Sequence, residues 1–205
     1  MNKKDKITFS FGENWSDFLD TVDKKEIYYA KRDIVKVFNH VKEKNNARFN
    51  FKEKSVLDIG CGSGLHSYAF YLLGAKSIYS FDYDMKSVET TKRLWEKAGR
   101  PSNWSVTHGS ILDKRFIATI PKSDIVYAWG CLHHTGAVWR AIDNTIALLN
   151  GSGSHLFLSL YQDAKTTSSA YESRIFLSPC SEYRKRYSAS AYPQAWSPCC
   201  SMPGR

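Results

Sequence analysis

Three glycines that follow a short apolar run form the part of the sequence best suited to bind a ligand. Gly60, Gly62 and Gly64 come directly after residues 56–59, and an apolar helical pattern begins at Leu65. Glycine lets the backbone turn tightly and approach a bound molecule closely. The start of the following helix presents N–H groups that have no partner within the helix. We therefore predict a ligand-binding loop between a strand and a helix, the alternative being a glycine-rich turn with no ligand.

An acidic residue beside this loop indicates which ligand it binds. Asp58 stands two residues before the first glycine, where a carboxylate repels a pyrophosphate and attracts an ammonium group. A dinucleotide-binding loop has the pattern G-x-G-x-x-G, but here the third glycine position holds Leu65 and Gly64 comes one residue early. S-adenosylmethionine (SAM) carries an ammonium group and no phosphate. The loop therefore favours SAM as cofactor and argues against a nicotinamide-dependent dehydrogenase.

A second acidic residue follows the next apolar run. Asp82 lies 24 residues after Asp58, at the predicted end of the second strand. Its two carboxylate oxygens are able to accept hydrogen bonds from both hydroxyls of a ribose. The alternative is a helix-capping role, which we assign to Asp84 ahead of a predicted helix. Asp82 is therefore predicted to bind the ribose of the cofactor.

Two adjacent histidines, His133 and His134, follow the fourth predicted strand. Methyl transfer from a sulfonium mainly requires donor and acceptor to be held in line. When the acceptor is a hydroxyl, a base with a pKa of about 7 helps to remove its proton, and histidine meets that need. In the alternative, His133 packs against the first helix and His134 hydrogen-bonds the loop backbone. His66 is predicted to be structural or to face solvent.

The elements that must position these residues follow an alternation of strands and helices. Such an alternation predicts an α/β fold with a Rossmann-like, doubly wound parallel sheet covered by helices on both faces. Parallel strands bring their carboxyl ends to one edge, where open sheets of this kind bind ligands. The predicted strands are 55–59, 77–81, 104–108, 124–129 and 155–161, and the predicted helices are 65–73, 85–98, 113–119 and 136–149.

Composition divides the chain into three zones. Residues 1–54 are polar and predict an N-terminal helical cap, and residues 55–162 predict a SAM-binding core. Residues 163–205 hold nine Ser, four of the six Pro and three of the five Cys without a sustained period, which predicts a poorly ordered tail. The alternative for this zone is a short helix near 169–177 followed by a loose tail. An amphipathic stripe in the first zone consists of Ile27, Ala30, Ile34, Val37, Phe38 and Val41.

Charge and cysteine content exclude several classes of protein. The 205 residues carry 29 Lys and Arg against 20 Asp and Glu, and the net charge of +9 is spread over the zones as +4, +2 and +3. No zone is a basic arm, so we expect no nucleic-acid partner. No apolar run reaches the ~20 residues of a membrane span, and we recognise no secretory signal. Five cysteines without a Cys-x-x-Cys pair predict no disulfide framework, no metal site and a cytoplasmic location.

The order and spacing of these features resemble class I SAM-dependent methyltransferases. The matching landmarks are the loop 56–64, Asp82, the segment 109–113 and the segment 124–135. Two further segments, 9–15 and 129–139, resemble a bacterial subgroup that is similar to the ubiquinone-biosynthesis O-methyltransferases. The resemblance implies methyl transfer to a small-molecule acceptor at oxygen. The alternatives are an RNA or protein methyltransferase, in keeping with a pI of about 9.3, and a SAM-binding protein with impaired catalysis.

The resemblance also implies a role for each matching position. Asp58 and the glycine loop would hold the methionine end of SAM, and Asp82 the ribose. Tyr83 would flank the adenine, and two residues after the third strand would line the adenine site. Two residues after the fourth strand would lie near the methionine moiety and the reacting face. The implied cofactor-binding set is Asp58, Gly60, Cys61, Gly62, Gly64, Asp82, Tyr83, Ser110, Ile111, Trp129 and Gly130.

Two regions bear on the acceptor. Phe11 and Trp15 are expected to form an aromatic wall or lid over the cofactor, the alternative being a small apolar cluster that pins the first helix.

At the C-terminal end of the chain, the resemblance implies a sixth and a seventh strand as an antiparallel pair. Nothing in 163–205 resembles that pair, so we expect the last strands to be missing or replaced, with an exposed sheet edge as the consequence. The sequence at 129–132 also lacks the Asn/Asp-Pro-Pro-Tyr/Phe pattern of amino-group RNA and DNA methyltransferases.

Overall fold

A computed structural model describes residues 11–39 and 48–162, together with the backbone of 172–179. It contains six helices, α1 to α6, and six strands, β1 to β6, within that part of the chain, with a short 3₁₀ helix at Leu132–Thr135. The helices are α1 Gly12–Thr21, α2 Lys24–Asn39, α3 Leu65–Leu72, α4 Met85–Lys97, α5 Lys114–Ile117 and α6 Val138–Ala147. The strands are β1 Ser55–Ile59, β2 Ser77–Asp82, β3 Trp104–His108, β4 Ile125–Trp129, β5 His155–Gln162 and β6 Glu172–Pro179.

The strands form a single sheet in the order β3-β2-β1-β4-β5-β6. The first five are parallel, and β1 lies between β2 and β4 at the point where the strand order reverses. In open sheets of this type a ligand binds at that point, outside the carboxyl ends of the strands. The α/β, doubly wound architecture predicted from the sequence is thus confirmed, and each of the five predicted strands is present with bounds within one residue.

The sixth strand departs from the sequence-based expectation. β6 pairs antiparallel with β5 along its whole length, from His155 opposite Pro179 to Gln162 opposite Glu172. The suggested helix near 169–177 is therefore wrong over 172–177, and so is the expectation that no strand follows the fifth. The physical reason is that β5 offers a full row of backbone groups, and pairing with them overrides a weak local pattern. The rest of the proposed tail, 163–171 and 180–205, lies outside the described residues.

Side chains of β1 alternate between two apolar layers, one on each face of the sheet. Val56 points into the layer formed with α2 and α3, and Leu57 points into the layer formed with α6 and the 3₁₀ helix. Asp58 therefore faces the first layer, and Ile59 the second. None of the helices in the described part has the length and apolar character needed to cross a bilayer.

The stripe predicted on the first long helix anchors α2 to the sheet. Ala30, Ile34 and Phe38 are buried, as the period of the pattern requires. Phe38 is fully buried, and its ring centroid lies 4.8 Å from that of Phe49 and 5.5 Å from that of Phe51. This aromatic cluster holds α2 against the sheet that positions the loops.

We expect Phe38→Ala to lower the free energy of unfolding by about 3–5 kcal/mol, because it empties a closed aromatic cluster. Tyr28→Ala is the matched control on the same helix. Tyr28 is 62% exposed, so its loss is expected to change stability by less than about 0.5 kcal/mol. Urea unfolding of the two variants measures the difference, and equal values would show that α2 is not anchored through Phe38.

Candidate cofactor and active site

The glycine loop joins β1 to α3 in a backbone conformation that suits glycine. Gly60, Gly62 and Gly64 have φ values of +69°, +54° and +78°. The N–H groups of Gly60 and Cys61 both donate to the carbonyl of Phe81 at the end of β2, at 2.9 and 3.2 Å. The loop is thus tied to the neighbouring strand by two backbone hydrogen bonds.

Close neighbours also require glycine at two of these positions. A Cβ on Gly60 would lie 2.5 Å from the Cβ of Cys131, and a Cβ on Gly62 would lie 2.9 Å from the indole ring of Trp15. Thr91 of α4 fixes the loop from the other side, because its hydroxyl donates to the carbonyl of Gly62 at 3.0 Å. The sequence gives no signal for this role of Thr91, since it stands 29 residues after the glycine that it contacts.

Asp82 is held beside the loop by backbone N–H groups. Its Oδ2 accepts from Gly62 at 3.0 Å and its Oδ1 accepts from Asp84 at 2.9 Å. Burial raises the pKa of Asp82, and these hydrogen bonds act in the opposite direction. Because a carboxylate oxygen has two lone pairs, each oxygen is still able to accept one further hydrogen bond. Asp84 caps α4 through the N–H of Lys86, as predicted.

Asp58 is buried below the loop, with 3% of its surface exposed. Its Oδ2 accepts a hydrogen bond from the hydroxyl of Ser67 at 2.5 Å. Burial raises the pKa of Asp58 to about 7, the hydrogen bond from Ser67 lowers it, and the charge of Asp82 raises it. Among the residues that the structure describes, no cationic group lowers the pKa of Asp58, and an ammonium group would supply the compensating positive charge.

The loops after β3 and β4 complete the edge of the sheet. The side chain of Ile111 is buried in the second layer, and its carbonyl accepts from Asn144 at 2.8 Å. The Ser110 hydroxyl accepts from the N–H of Leu112 at 3.2 Å. Gly130 follows β4 with a φ of +65° and donates to the carbonyl of Ser159 on β5. These contacts fix the backbone of both loops.

Two exposed aromatic side chains lie at this same edge. Tyr83, directly after β2, is 55% exposed, and its carbonyl contacts the imidazole of His108 at 2.8 Å. Trp129, at the end of β4, stacks on His66 with ring centroids 4.4 Å apart and planes 20° apart. Burial lowers the pKa of His66 to about 4, so the ring that supports Trp129 is neutral. His66 is thus structural, one of the two roles expected from the sequence.

The histidine pair lies in the 3₁₀ helix after β4. The ring centroids of His133 and His134 are 4.0 Å apart, and the ring of Phe11 lies 5.1 Å from that of His134. Burial lowers the pKa of His133 to about 4, with a further contribution from His134, and burial also lowers the pKa of His134. Both imidazoles are therefore neutral near pH 7 and able to accept hydrogen bonds through one ring nitrogen.

The helix α1 lies over the loop and is fastened to α4. The N–H of Gly12 donates to Oδ2 of Asp84 at 2.8 Å. Arg93 donates to the hydroxyl of Ser16 at 3.0 Å and to the carboxylate of Asp20 at 2.5 Å. The structure thus places Trp15 against the loop and Phe11 against the histidines, as the predicted aromatic wall requires. Residues 1–10, which include the start of the aromatic segment, lie outside the described residues.

The donor set at this edge suits a cofactor better than a metal. Two carboxylates, Asp58 and Asp82, flank a loop of left-handed glycines, an arrangement that fits an ammonium group and a ribose. Within 11–39 and 48–162, no cluster of three or more His, Cys, Asp or Glu residues is placed to hold a metal ion. Cys61 and Cys131 are free thiols, and burial raises the pKa of both.

Comparisons with known proteins show the family of the chain. A family model described as "Methyltransferase domain" matches residues 29–197. A ribosomal protein L11 methyltransferase from Psychrobacter sp. (strain PRwf-1) is 39% identical over 80 residues, which are 38% of this chain and 26% of that protein. The match thus spans about a quarter of the length of this curated relative.

Solved structures share the fold at low sequence identity. An S-adenosylmethionine-dependent methyltransferase structure from Methanococcus maripaludis, described as putative, is 17% identical with a TM-score of 0.58, covering 78% of this chain and 67% of that one. Magnesium protoporphyrin IX methyltransferase from Synechocystis PCC 6803, with bound SAH, is 19% identical with a TM-score of 0.55, covering 76% and 69%.

We expect Gly62→Ala to destabilise the ligand-free chain by more than Gly99→Ala. Both glycines have positive φ, +54° at position 62 and +87° at position 99, so both substitutions carry a backbone penalty of about 1–2 kcal/mol, which is no smaller at position 99. Only the Cβ at position 62 meets a neighbour, whereas nothing lies within 4 Å of a Cβ at position 99. Thermal unfolding checks this, and equal melting temperatures would mean that Trp15 does not rest on the loop.

Proposed function

The chain belongs to the family of class I SAM-dependent methyltransferases, and we propose that it methylates a hydroxyl oxygen of a small-molecule acceptor. The observation that carries the choice of oxygen is the neutral pair His133 and His134, directly after the strand that ends at Trp129. A neutral imidazole is able to accept the hydrogen bond of an acceptor hydroxyl and then its proton. The resemblance to ubiquinone-biosynthesis O-methyltransferases supports the same acceptor class.

The residues at the carboxyl ends of the strands divide the binding of SAM between them. The carboxylate of Asp58 would hold the ammonium group, with the backbone of Gly60, Cys61, Gly62 and Gly64 alongside the methionine moiety. Asp82 would accept hydrogen bonds from the ribose hydroxyls through the lone pairs that Gly62 and Asp84 leave available. A last group would border the adenine and the reacting face, namely Tyr83, Ser110, Ile111, Trp129 and Gly130.

The protein's own task in the reaction is to align the acceptor with the methyl group of SAM and to exclude water from the site. SAM, when bound, supplies the methyl group on a sulfonium centre that already contains its leaving group. Trp15 and Phe11 on one side and Trp129 on the other would keep the acceptor dry and in line. With a pKa of about 4, His133 is a weak base, so we assign it the role of orienting the hydroxyl and taking up its proton late in the transfer.

Two alternative functions must be distinguished from this one by experiment. The partial likeness to ribosomal protein L11 methyltransferases would fit a protein acceptor, but it covers about a quarter of those enzymes. A SAM-binding protein with impaired catalysis is the third. For the location we propose the cytoplasm, because Cys61 and Cys131 are both free thiols and thiols persist in a reducing compartment.

Cofactor binding is tested by thermal unfolding with SAM, with NAD as the control ligand. SAM at ~100 times its dissociation constant should add about 2.7 kcal/mol, a rise in melting temperature of roughly 5–10 °C. We expect Asp82→Asn to weaken SAM binding about tenfold or more, since it removes charge from a ribose acceptor. Asp113→Asn is the matched control, because Asp113 also accepts two backbone N–H groups at a helix start. An unchanged affinity in Asp82→Asn would exclude the ribose role.

The acceptor is tested by transfer of labelled methyl from SAM to a panel of phenols and catechols, with purified ribosomal protein L11 as the competing acceptor. We expect His133→Asn and His134→Asn to lower kcat about a hundredfold while the Kd for SAM stays within twofold. At saturating SAM, kcat should show no loss from protonation of His133 between pH 8 and about pH 5, because the pKa of His133 lies near 4. Label in L11 alone, or variants as active as the wild type, would contradict the proposal.

A further inference from the structure

Four buried polar side chains form a continuous chain of hydrogen bonds beneath the loop. The indole Nε1–H of Trp104 donates to the hydroxyl of Ser80 at 2.9 Å. Ser80 and Ser67 share a hydrogen bond of 2.6 Å, and Ser67 donates to Asp58 at 2.5 Å. All four residues are at most 3% exposed. The chain of bonds begins on β3, crosses β2 and α3, and ends on β1.

The chemistry of these groups fixes the direction of every hydrogen. An indole N–H only donates, and an ionised carboxylate only accepts. The single hydrogen of Ser67 goes to Asp58, so Ser80 must donate in the contact between the two serines. The single hydrogen of Ser80 is then used, and its oxygen accepts from Trp104. While Asp58 is ionised, each group therefore has its partner in this one orientation.

We propose that Ser67, Ser80 and Trp104 are positioning residues that hold Asp58 for the ammonium group of SAM. The chain of bonds commits Oδ2 to Ser67, which leaves Oδ1 as the oxygen for the ammonium. This inference rests on the proposed cofactor site and adds three residues that do not touch the cofactor. They act through Asp58 by fixing its rotamer and by favouring its ionised form.

The proposal has a consequence for the pH dependence of cofactor binding. A proton taken up by Asp58 removes the negative charge that would hold the ammonium, whichever oxygen carries that proton. The pKa of Asp58 is about 7, and the hydrogen bond from Ser67 holds it below the value that burial alone would give. SAM affinity should therefore fall as the pH drops below about 7. Loss of the hydrogen-bond chain should raise the pH below which SAM affinity falls.

The other ionisable groups near Asp58 would not produce this pH dependence of SAM affinity. Tyr127 on β4 and the thiols of Cys61 and Cys131 are neutral, because burial raises the pKa of each. His66 on α3 is also neutral, since burial lowers its pKa to about 4. Asp82 on β2 is the one charged group among these, and it is unchanged in the variants below.

The test is calorimetric titration of SAM into the full chain between pH 6 and pH 9. For Ser67→Ala and Ser80→Ala we expect Kd to be about tenfold higher than wild type at pH 7 and within about threefold at pH 9. Ser80→Thr keeps the hydroxyl and should restore the wild-type profile. Trp104→Phe removes only the N–H and should give an intermediate shift. Thr145→Val is the control, because Thr145 is equally buried but bonds to Ala141 on the opposite face.

A second readout needs no cofactor. The ¹³C shift of the Asp58 carboxyl, assigned with Asp58→Asn, should titrate at higher pH in Ser67→Ala and Ser80→Ala than in the wild type. Equal weakening of SAM binding at every pH, or no change in the carboxyl titration, would overturn the positioning role. A wild-type chain that does not bind SAM would instead overturn the proposed function and this inference with it.

Discussion

Asp58 places an ionisable carboxylate in the middle of the central strand, where water does not reach it. Burying a charge there is costly unless hydrogen bonds and an opposite charge compensate. Ser67 supplies the hydrogen bond, but the described part of the chain gives the carboxylate no opposite charge at close range. A ligand that brings an ammonium group would relieve that cost, so cofactor binding and the stability of the sheet are linked through one residue. In the proposed complex the ammonium would offset the effect of burial, which raises the pKa of Asp58 in the free chain.

Because the first five strands are parallel, the other residues of the candidate site lie at the same edge of the sheet as the glycine loop. The ends of β1, β2 and β4 meet at one edge, so the glycine loop, Asp82 and the histidine pair come together without long connecting segments. The left-handed glycines then bring the backbone under Trp15, and Thr91 fixes the loop from α4. The site is thus built mostly from strand ends and the first turns of helices.

Sequence reasoning succeeds here where the signal is local. Strand periodicity, the glycine loop, the cap at Asp84 and the stripe on α2 each depend on residues within one turn or one strand. It fails where partners are distant in the chain. The pairing of β6 with β5 depends on an available backbone edge rather than on a pattern within 172–179. The bond from Trp104 to Ser80 and the stack of His66 on Trp129 join elements that periodicity describes separately, so neither was foreseen.

The contacts that fasten α1 also set an order of events during synthesis. Gly12 reaches Asp84 and Asp20 reaches Arg93, partners that are 72 and 73 positions later in the chain. At ~5–20 residues per second, a ribosome needs about 4–15 s to produce those partners after α1 has been made. Throughout that interval Trp15 and Leu19 have no surface to pack against. The helix α1 is therefore translated before its docking partners and is not able to dock until α4 has been made. During that time it is the stretch a chaperone would meet first.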